Sequence, residues 1–253
     1  MRLKDKVAII TGGGTGIGRA CGELFAEEGA SVVLAGRRAE RIDEAAAAIR
    51  GRGGRALAVV ADVSRAAEVE ELVERTLAEL GAIHIAVNNA GVLLVATVEQ
   101  TSEADWDYVM NTNLKGVFLV SRAVIPAMRR AGSGSIINIS SILGLVGMKS
   151  RAAYAASKGG VTLLTKAMAL DHAADKIRVN CICPAIVDTE LVADLLARAP
   201  DPEALRRTRT EQVPLGRLGT PRDVAQMALF LASEESSWVT GAAFPVNGGY
   251  TAH

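Results

Sequence analysis

Tyr154 and Lys158 stand four residues apart in Tyr-Ala-Ala-Ser-Lys. On a helix that spacing puts both side chains on one face, and the small residues between them leave it open to a ligand. A phenol beside an ammonium suits proton transfer at a carbonyl or hydroxyl oxygen. Reducing a ketone requires a proton on oxygen as hydride reaches carbon, and the reverse reaction requires a base. Free tyrosine, with a pKa of about 10, is a poor base at neutral pH. An ammonium ~4 Å away, at an effective dielectric near ~20, favours the phenolate by roughly 4 kcal/mol before desolvation is counted. Taken alone, the pair also fits an ordinary helix face.

Ser141 lies 13 residues before Tyr154, just past an apolar run at 136–139. Its hydroxyl is placed to steady a carbonyl oxygen beside the phenol. Ser140 is the adjacent competitor, and spacing favours Ser141. Asn113 is a polar residue in an apolar helical stretch. It either holds a water that links Lys158 to solvent or stops a local kink, with Asn111 the weaker candidate.

These residues sit in an alternation of strands and helices. Apolar, β-branched runs predict strands at 7–10, 31–35, 56–61, 83–87, 135–139, 178–183 and 244–246. Helical spacing begins at Ile17 and recurs at 40–49, 67–80, 106–127, 154–170 and 223–231, with Gly116 weakening the middle of 106–127. Strands apolar throughout, separated by helices, imply a parallel sheet covered on both faces. No Pro/Gly/Ser-rich linker divides the chain. The expected fold is α/β: one doubly wound Rossmann domain over residues 1–253, with helices on both faces.

Thr11-Gly-Gly-Gly-Thr-Gly-Ile-Gly18 joins the first strand to the first helix. Glycines at that turn let the backbone approach a pyrophosphate, and the helix N-terminus offers free N–H groups. The expected dinucleotide contacts here are Gly12, Thr15, Gly16, Ile17 and Gly18; the alternative is a turn chosen for packing. The second strand ends in Gly36-Arg37-Arg38, where a carboxylate would bind ribose hydroxyls. Two arginines instead favour the 2′-phosphate of NADP(H), with NAD(H) as the alternative. Asp62 and Val63 are placed to meet the adenine, although Asp62 also suits a plain turn. Asn88-Asn89-Ala90-Gly91 follows the fourth strand, where asparagines tie strand ends together and Ala-Gly leaves room for a ribose. Lys158 is placed to hydrogen-bond the nicotinamide ribose.

The chain carries 28 Lys plus Arg and 28 Asp plus Glu, so no net field draws a polyanion and nucleic acid is not an expected partner. Three histidines without clustered spacing argue against a catalytic metal. Cys21, Cys181 and Cys183 form no disulfide framework, and Cys181 and Cys183 are read as facing opposite sides of their strand. The basic start leads into a short strand rather than a signal peptide. No stretch approaches the roughly 20 apolar residues of a membrane span. The expected location is the cytoplasm.

Taken in order, Thr11–Gly18, Asp62-Val63, Asn88–Gly91, Asn113, Ser140-Ser141, Tyr154–Lys158, Pro184 and Val246–Gly249 resemble the short-chain dehydrogenase/reductase family from end to end. The resemblance implies an NAD(P)-dependent oxidoreductase acting on a ketone or secondary alcohol. Its catalytic tetrad would be Asn113, Ser141, Tyr154 and Lys158. Pro184, the Val187 backbone and the Thr189 hydroxyl would meet the nicotinamide. Two departures stand out: Ala185 where the family usually has glycine, and Asn247 where it usually has a carboxylate. The resemblance also implies a substrate lid at about 190–215, which holds Arg198, Arg206, Arg207 and Arg209, read as a solvated helix face or an anion site. Leu93, Leu94, Leu143, Val146 and Met148 would flank the reacting carbonyl, with Ser141, Leu143, Met148 and Tyr154 touching substrate. A 3-oxoacyl thioester, a sugar or polyol, and a non-catalytic dinucleotide-binding scaffold are the alternatives. Family members usually assemble as homotetramers, and the apolar stretch at 114–124 suits such burial.

Overall fold

The computed structural model describes residues 1–197 and 199–252. Arg198 and His253 lie outside the described residues. The apolar runs form β1 (Val7–Thr11), β2 (Ser31–Gly36), β3 (Arg55–Val60), β4 (Ile85–Asn88), β5 (Gly134–Ile139), β6 (Ile177–Pro184) and β7 (Ala243–Val246). They pair in parallel in the order β3-β2-β1-β4-β5-β6-β7. The chain therefore reverses its direction of winding between β1 and β4, and the crevice this opens lies beyond the strands' carboxyl ends.

Between the strands run α1 (Gly16–Glu27), α2 (Ala39–Gly51), α3 (Ala66–Leu80), α4 (Glu103–Met110), α5 (Gly116–Ala131), α6 (Ala152–Asp171), α7 (Glu190–Ala197), α8 (Pro202–Glu211) and α9 (Pro221–Ala232). Adjacent strand residues point to opposite faces, which divides the core in two. On one face Ile10, Leu34 and Ile137 meet Phe25 of α1, Ile49 of α2 and Leu229 of α9. On the other, Ile9, Val33 and Ile136 meet Leu72 of α3, Val120 of α5 and Met168 of α6. The result is one three-layer α/β unit, as the strand–helix alternation predicts.

Two readings change. The helix expected at 106–127 runs from Glu103 to Ala131 but is interrupted by a single π-helical turn, Asn111–Lys115, and Gly116 opens α5 instead of breaking a helix. The 190–215 segment contains two helices, α7 and α8, which agrees with the helix face expected there. Cys181 and Cys183 share a face, because residues two apart on a strand point the same way. Both buried thiols are directed at Thr162 on α6, and they are free.

Candidate active site

The glycine turn after β1 floors a groove at the switch point. Gly12 sits at φ +63°, and a Cβ added there would lie 2.8 Å from Asn89 Nδ2, so only glycine fits without displacement. Asn89 Nδ2 donates to the carbonyls of Thr11 and Gly12 at 3.0 and 3.2 Å, which pins the turn to the end of β4. Thr15 precedes α1 without a side-chain cap, leaving that helix's first N–H groups directed at the groove. Gly12, Thr15, Gly16, Ile17, Arg37, Arg38, Asp62, Val63, Asn89, Ala90, Gly91 and Thr189 all line it. Gly18 lies behind that lining. A Cβ on Gly18 would fall 2.2 Å from the Gly12 carbonyl oxygen, so this glycine lets α1 pack against the turn.

At the far end of the groove, Arg37 Nη2 donates to the Tyr108 hydroxyl at 3.2 Å, and Arg37 lies 4.0 Å from Asp62. Arg38 donates to Thr15 Oγ1 at 3.3 Å and pairs with Glu190 at 3.5 Å. Arg41, in the first turn of α2, also lines the groove and pairs with Glu190 at 3.8 Å. The sequence carries no signal for Arg41 or Glu190, since they meet only where α2 faces the start of α7. Asp62 closes a turn at the edge of the groove, its Oδ1 accepting from Ser64 N–H and Oγ.

Ser141, Tyr154 and Lys158 line a second cavity, which shares Ile17, Asn89, Gly91, Thr189 and Leu191 with the groove. Lys158 Nζ donates to the Ile139 carbonyl at 2.7 Å and lies 5.8 Å from the centre of the Tyr154 ring. Burial pushes the Lys158 ammonium down to about 8. Burial pushes the Tyr154 phenol above its usual value, while the Ser141 hydroxyl and the charge of Arg151 pull it back. The cation acting on the phenol in this arrangement thus includes Arg151, which the sequence reading did not single out.

Ser140 and Ser141 separate cleanly. Ser140 Oγ donates to the Lys158 carbonyl at 2.9 Å and meets Thr162 Oγ1, so it is committed to α6. Ser141 Oγ accepts from Leu143 N–H at 3.1 Å, and its hydroxyl faces the Tyr154 phenol on the cavity wall. Asn113 lies in the π turn, fully buried and outside both cavities. Its Oδ1 accepts from Val92 N–H at 2.8 Å, and its Nδ2 donates to the Val92 carbonyl and Ser157 Oγ at 2.9 and 3.1 Å. It holds the segment after β4 against α6. Asn88 ties β4 to β5 through Asn138 at 2.8 Å.

Leu93, Leu143, Met148, Pro184 and Val187 line the second cavity, whereas Leu94 and Val146 do not. Thr189 Oγ1 accepts from Val192 N–H at 3.4 Å at the start of α7. Ala185 faces the same cavity. Asn247 replaces a charge with hydrogen bonds: it donates to Thr251 and accepts from Gly249 N–H at 3.0 Å. Among the described residues no group of three His, Cys, Asp or Glu could hold a metal ion, and no helix is long and apolar enough to cross a membrane.

A family model described as Enoyl-(Acyl carrier protein) reductase matches residues 12–251. The chain is 42% identical over 249 residues to a 3-oxoacyl-(acyl-carrier-protein) reductase, FabG, of Thermotoga maritima, covering 98% of this chain and 99% of that one. It is 42% identical to cyclopentanol dehydrogenase of a Comamonas species, covering 100% and 99%. A solved short-chain dehydrogenase/reductase from Burkholderia xenovorans superposes with a TM-score of 0.97 at 36% identity, covering 100% of this chain and 98% of that one.

This chain belongs to the short-chain dehydrogenase/reductase family.

As a short-chain dehydrogenase/reductase it is an oxidoreductase of alcohols and ketones that uses a nicotinamide dinucleotide and a small-molecule substrate. Its groove fits that cofactor on its own evidence: a turn that tolerates no side chain at Gly12, an uncapped helix start, and arginines at the end away from the cavity. In this short-chain dehydrogenase/reductase the phenol and the dinucleotide groove share a wall, which is the arrangement that hydride transfer between two ligands needs.

Proposed function

We propose that this enzyme catalyses reversible hydride transfer between NADP(H) and a ketone or secondary alcohol. The observation that carries the reading is the common wall: Ser141, Tyr154 and Lys158 open onto a cavity continuous with the glycine-turn groove. The bound dinucleotide supplies or takes up the hydride. Tyr154 gives a proton to the substrate oxygen in reduction and removes it in oxidation. Ser141 donates a hydrogen bond to that oxygen as negative charge develops on it. Lys158 holds the nicotinamide ribose and favours the phenolate. Asn113 positions Val92 and α6, and the same amide is the candidate for anchoring a water that connects Lys158 to solvent. Pro184, Val187 and Thr189 hold the nicotinamide end, and the 190–215 segment closes over the substrate.

Arg37, Arg38 and Arg41 support a preference for NADP(H), because guanidinium groups grip a 2′-phosphate where a carboxylate would repel it. A cytoplasmic homotetramer is the form proposed for the whole protein. The likeness to FabG supports a second reading, reduction of a 3-oxoacyl thioester. A sugar or polyol is disfavoured by the leucine-rich cavity wall.

The test is a set of initial rates followed by nicotinamide absorbance. Ketones, secondary alcohols, 3-oxoacyl thioesters and sugars are each paired with both dinucleotides, for the wild type and Tyr154→Phe. Turnover abolished by Tyr154→Phe with dinucleotide binding kept supports the reading. Dinucleotide binding without turnover of any substrate overturns it in favour of a scaffold.

A further inference from the structure

Arg151 stands immediately before α6, three residues ahead of Tyr154, and its side chain lines the second cavity. It is only 8% exposed. Among the described residues its one side-chain hydrogen bond is from Nη1 to the Ser150 carbonyl at 2.8 Å. Among the described residues, no carboxylate lies within 4 Å of it. A cation at a helix N-terminus opposes the helix dipole, and a buried guanidinium without a counterion carries a desolvation penalty. Burial and the charge of Arg209 together hold the Arg151 guanidinium below its ordinary value.

Arg209 enters the same cavity from α8. Among the described residues its only side-chain hydrogen bond goes to Gln212 Oε1 at 3.2 Å. Its neighbours on that helix behave differently: Arg206 pairs with Asp188 at 2.6 Å, and Arg207 is exposed. The arginines of the dinucleotide groove likewise have acid partners, Asp62 and Glu190. Two like charges therefore face one cavity whose remaining wall is largely Leu143, Met148, Val192, Leu196 and Leu205.

We propose that the substrate of this enzyme carries a carboxylate, bound between the guanidinium groups of Arg151 and Arg209. Planar guanidinium forks match a carboxylate's two oxygens, and an apolar surround strengthens the pair. The substrate class is then an oxo or hydroxy acid with an apolar body. Its reacting carbon lies toward Tyr154 and its acid group toward the lid. This rests on the reading of Tyr154 as the reacting end of the cavity.

Binding is measured without turnover, by calorimetric titration of the NADP⁺-loaded protein with benzoate and with benzamide, its neutral isostere. The expected result is a preference for benzoate of roughly ten-fold or more, as hydrogen bonds to a charged group require. Arg209→Ala and Arg151→Met should each collapse the ratio of the two affinities. Arg209 is on a surface helix, so its variant keeps the test valid if Arg151→Met unfolds, which thermal melting reads directly. Equal affinity for benzoate and benzamide in the wild type overturns the proposal, as does a ratio unchanged in Arg209→Ala. A protein that turns over neutral ketones but does not select benzoate overturns the carboxylate site and leaves the hydride-transfer reading standing. One that selects benzoate and turns over nothing does the reverse.

Discussion

Lys158 Nζ is bonded to the Ile139 carbonyl at 2.7 Å, so the ammonium of α6 is anchored to the carboxyl end of β5. The side chain is 4% exposed, and burial lowers its proton affinity from the usual 10.5 to about 8. The folded protein therefore bears a cost for keeping this group charged.

That cost has a definite pH window. Below pH 8 the lysine is charged both folded and unfolded, and the full penalty, roughly 3 kcal/mol, opposes folding. As pH rises from about 8 toward 10.5 the native lysine has lost its proton and the unfolded one still holds it, so the penalty fades. Lys158→Met should gain stability over the wild type most at pH 7, and the advantage should shrink by pH 10. Urea denaturation at the two pH values checks this; an advantage that does not change with pH refutes it.

The two adjacent serines should fail in different ways. Ser140→Ala removes a buried hydrogen bond to the Lys158 carbonyl and should lower stability by about 1 kcal/mol with little loss of turnover. Ser141→Ala uncaps the buried Leu143 N–H and should also lower stability by about 1 kcal/mol, but it should in addition lower kcat by about 100-fold. The opposite pattern in paired melting and rate measurements would reassign the oxygen contact to Ser140.

Gly18→Ala places a methyl group where the Gly12 carbonyl oxygen already stands, 2.2 Å from the added carbon. Displacing α1 from the turn should destabilise the fold by roughly 1–3 kcal/mol and weaken dinucleotide binding as well. Normal stability and normal nucleotide affinity in the variant would show that the turn yields freely.

Arg37→Ala should raise the Kd for NADPH by about ten-fold while changing that for NADH little, because a charged hydrogen bond to a 2′-phosphate is lost. Fluorescence titration with each nucleotide measures both. Equal changes would mean that Arg37 serves Tyr108 and Asp62 rather than a phosphate.

The sheet, its windings and the dinucleotide turn were legible because each rests on a local signal. β-branched runs mark strands, and glycines stand where a turn leaves no room for a side chain. The Tyr154–Lys158 pair was legible because helix geometry converts four residues into one face. Partners that meet only through the fold were not. Arg209 reaches Arg151's cavity from a different helix, and Arg41 meets Glu190 across the groove. The close packing of Gly18 was not legible, because a glycine that admits a ligand and one that admits another backbone look alike in sequence. Cys181 and Cys183 share a face of β6 by the two-residue alternation of a strand, a relationship that needs no tertiary information.

The π turn at Asn111–Lys115 has a consequence of length rather than composition. A π turn accommodates an extra residue in an otherwise continuous helix, while each α-helical residue advances the chain by about 100°. Deleting one residue there would restore regular α winding and leave α4 and α5 in phase, because the wider turn had absorbed the extra residue. What would be lost is the local displacement of Asn113, and with it the bonds to Val92 and Ser157. Substitutions along this rod test single contacts; a one-residue deletion would test the bulge itself, with the rest of the helix left in place.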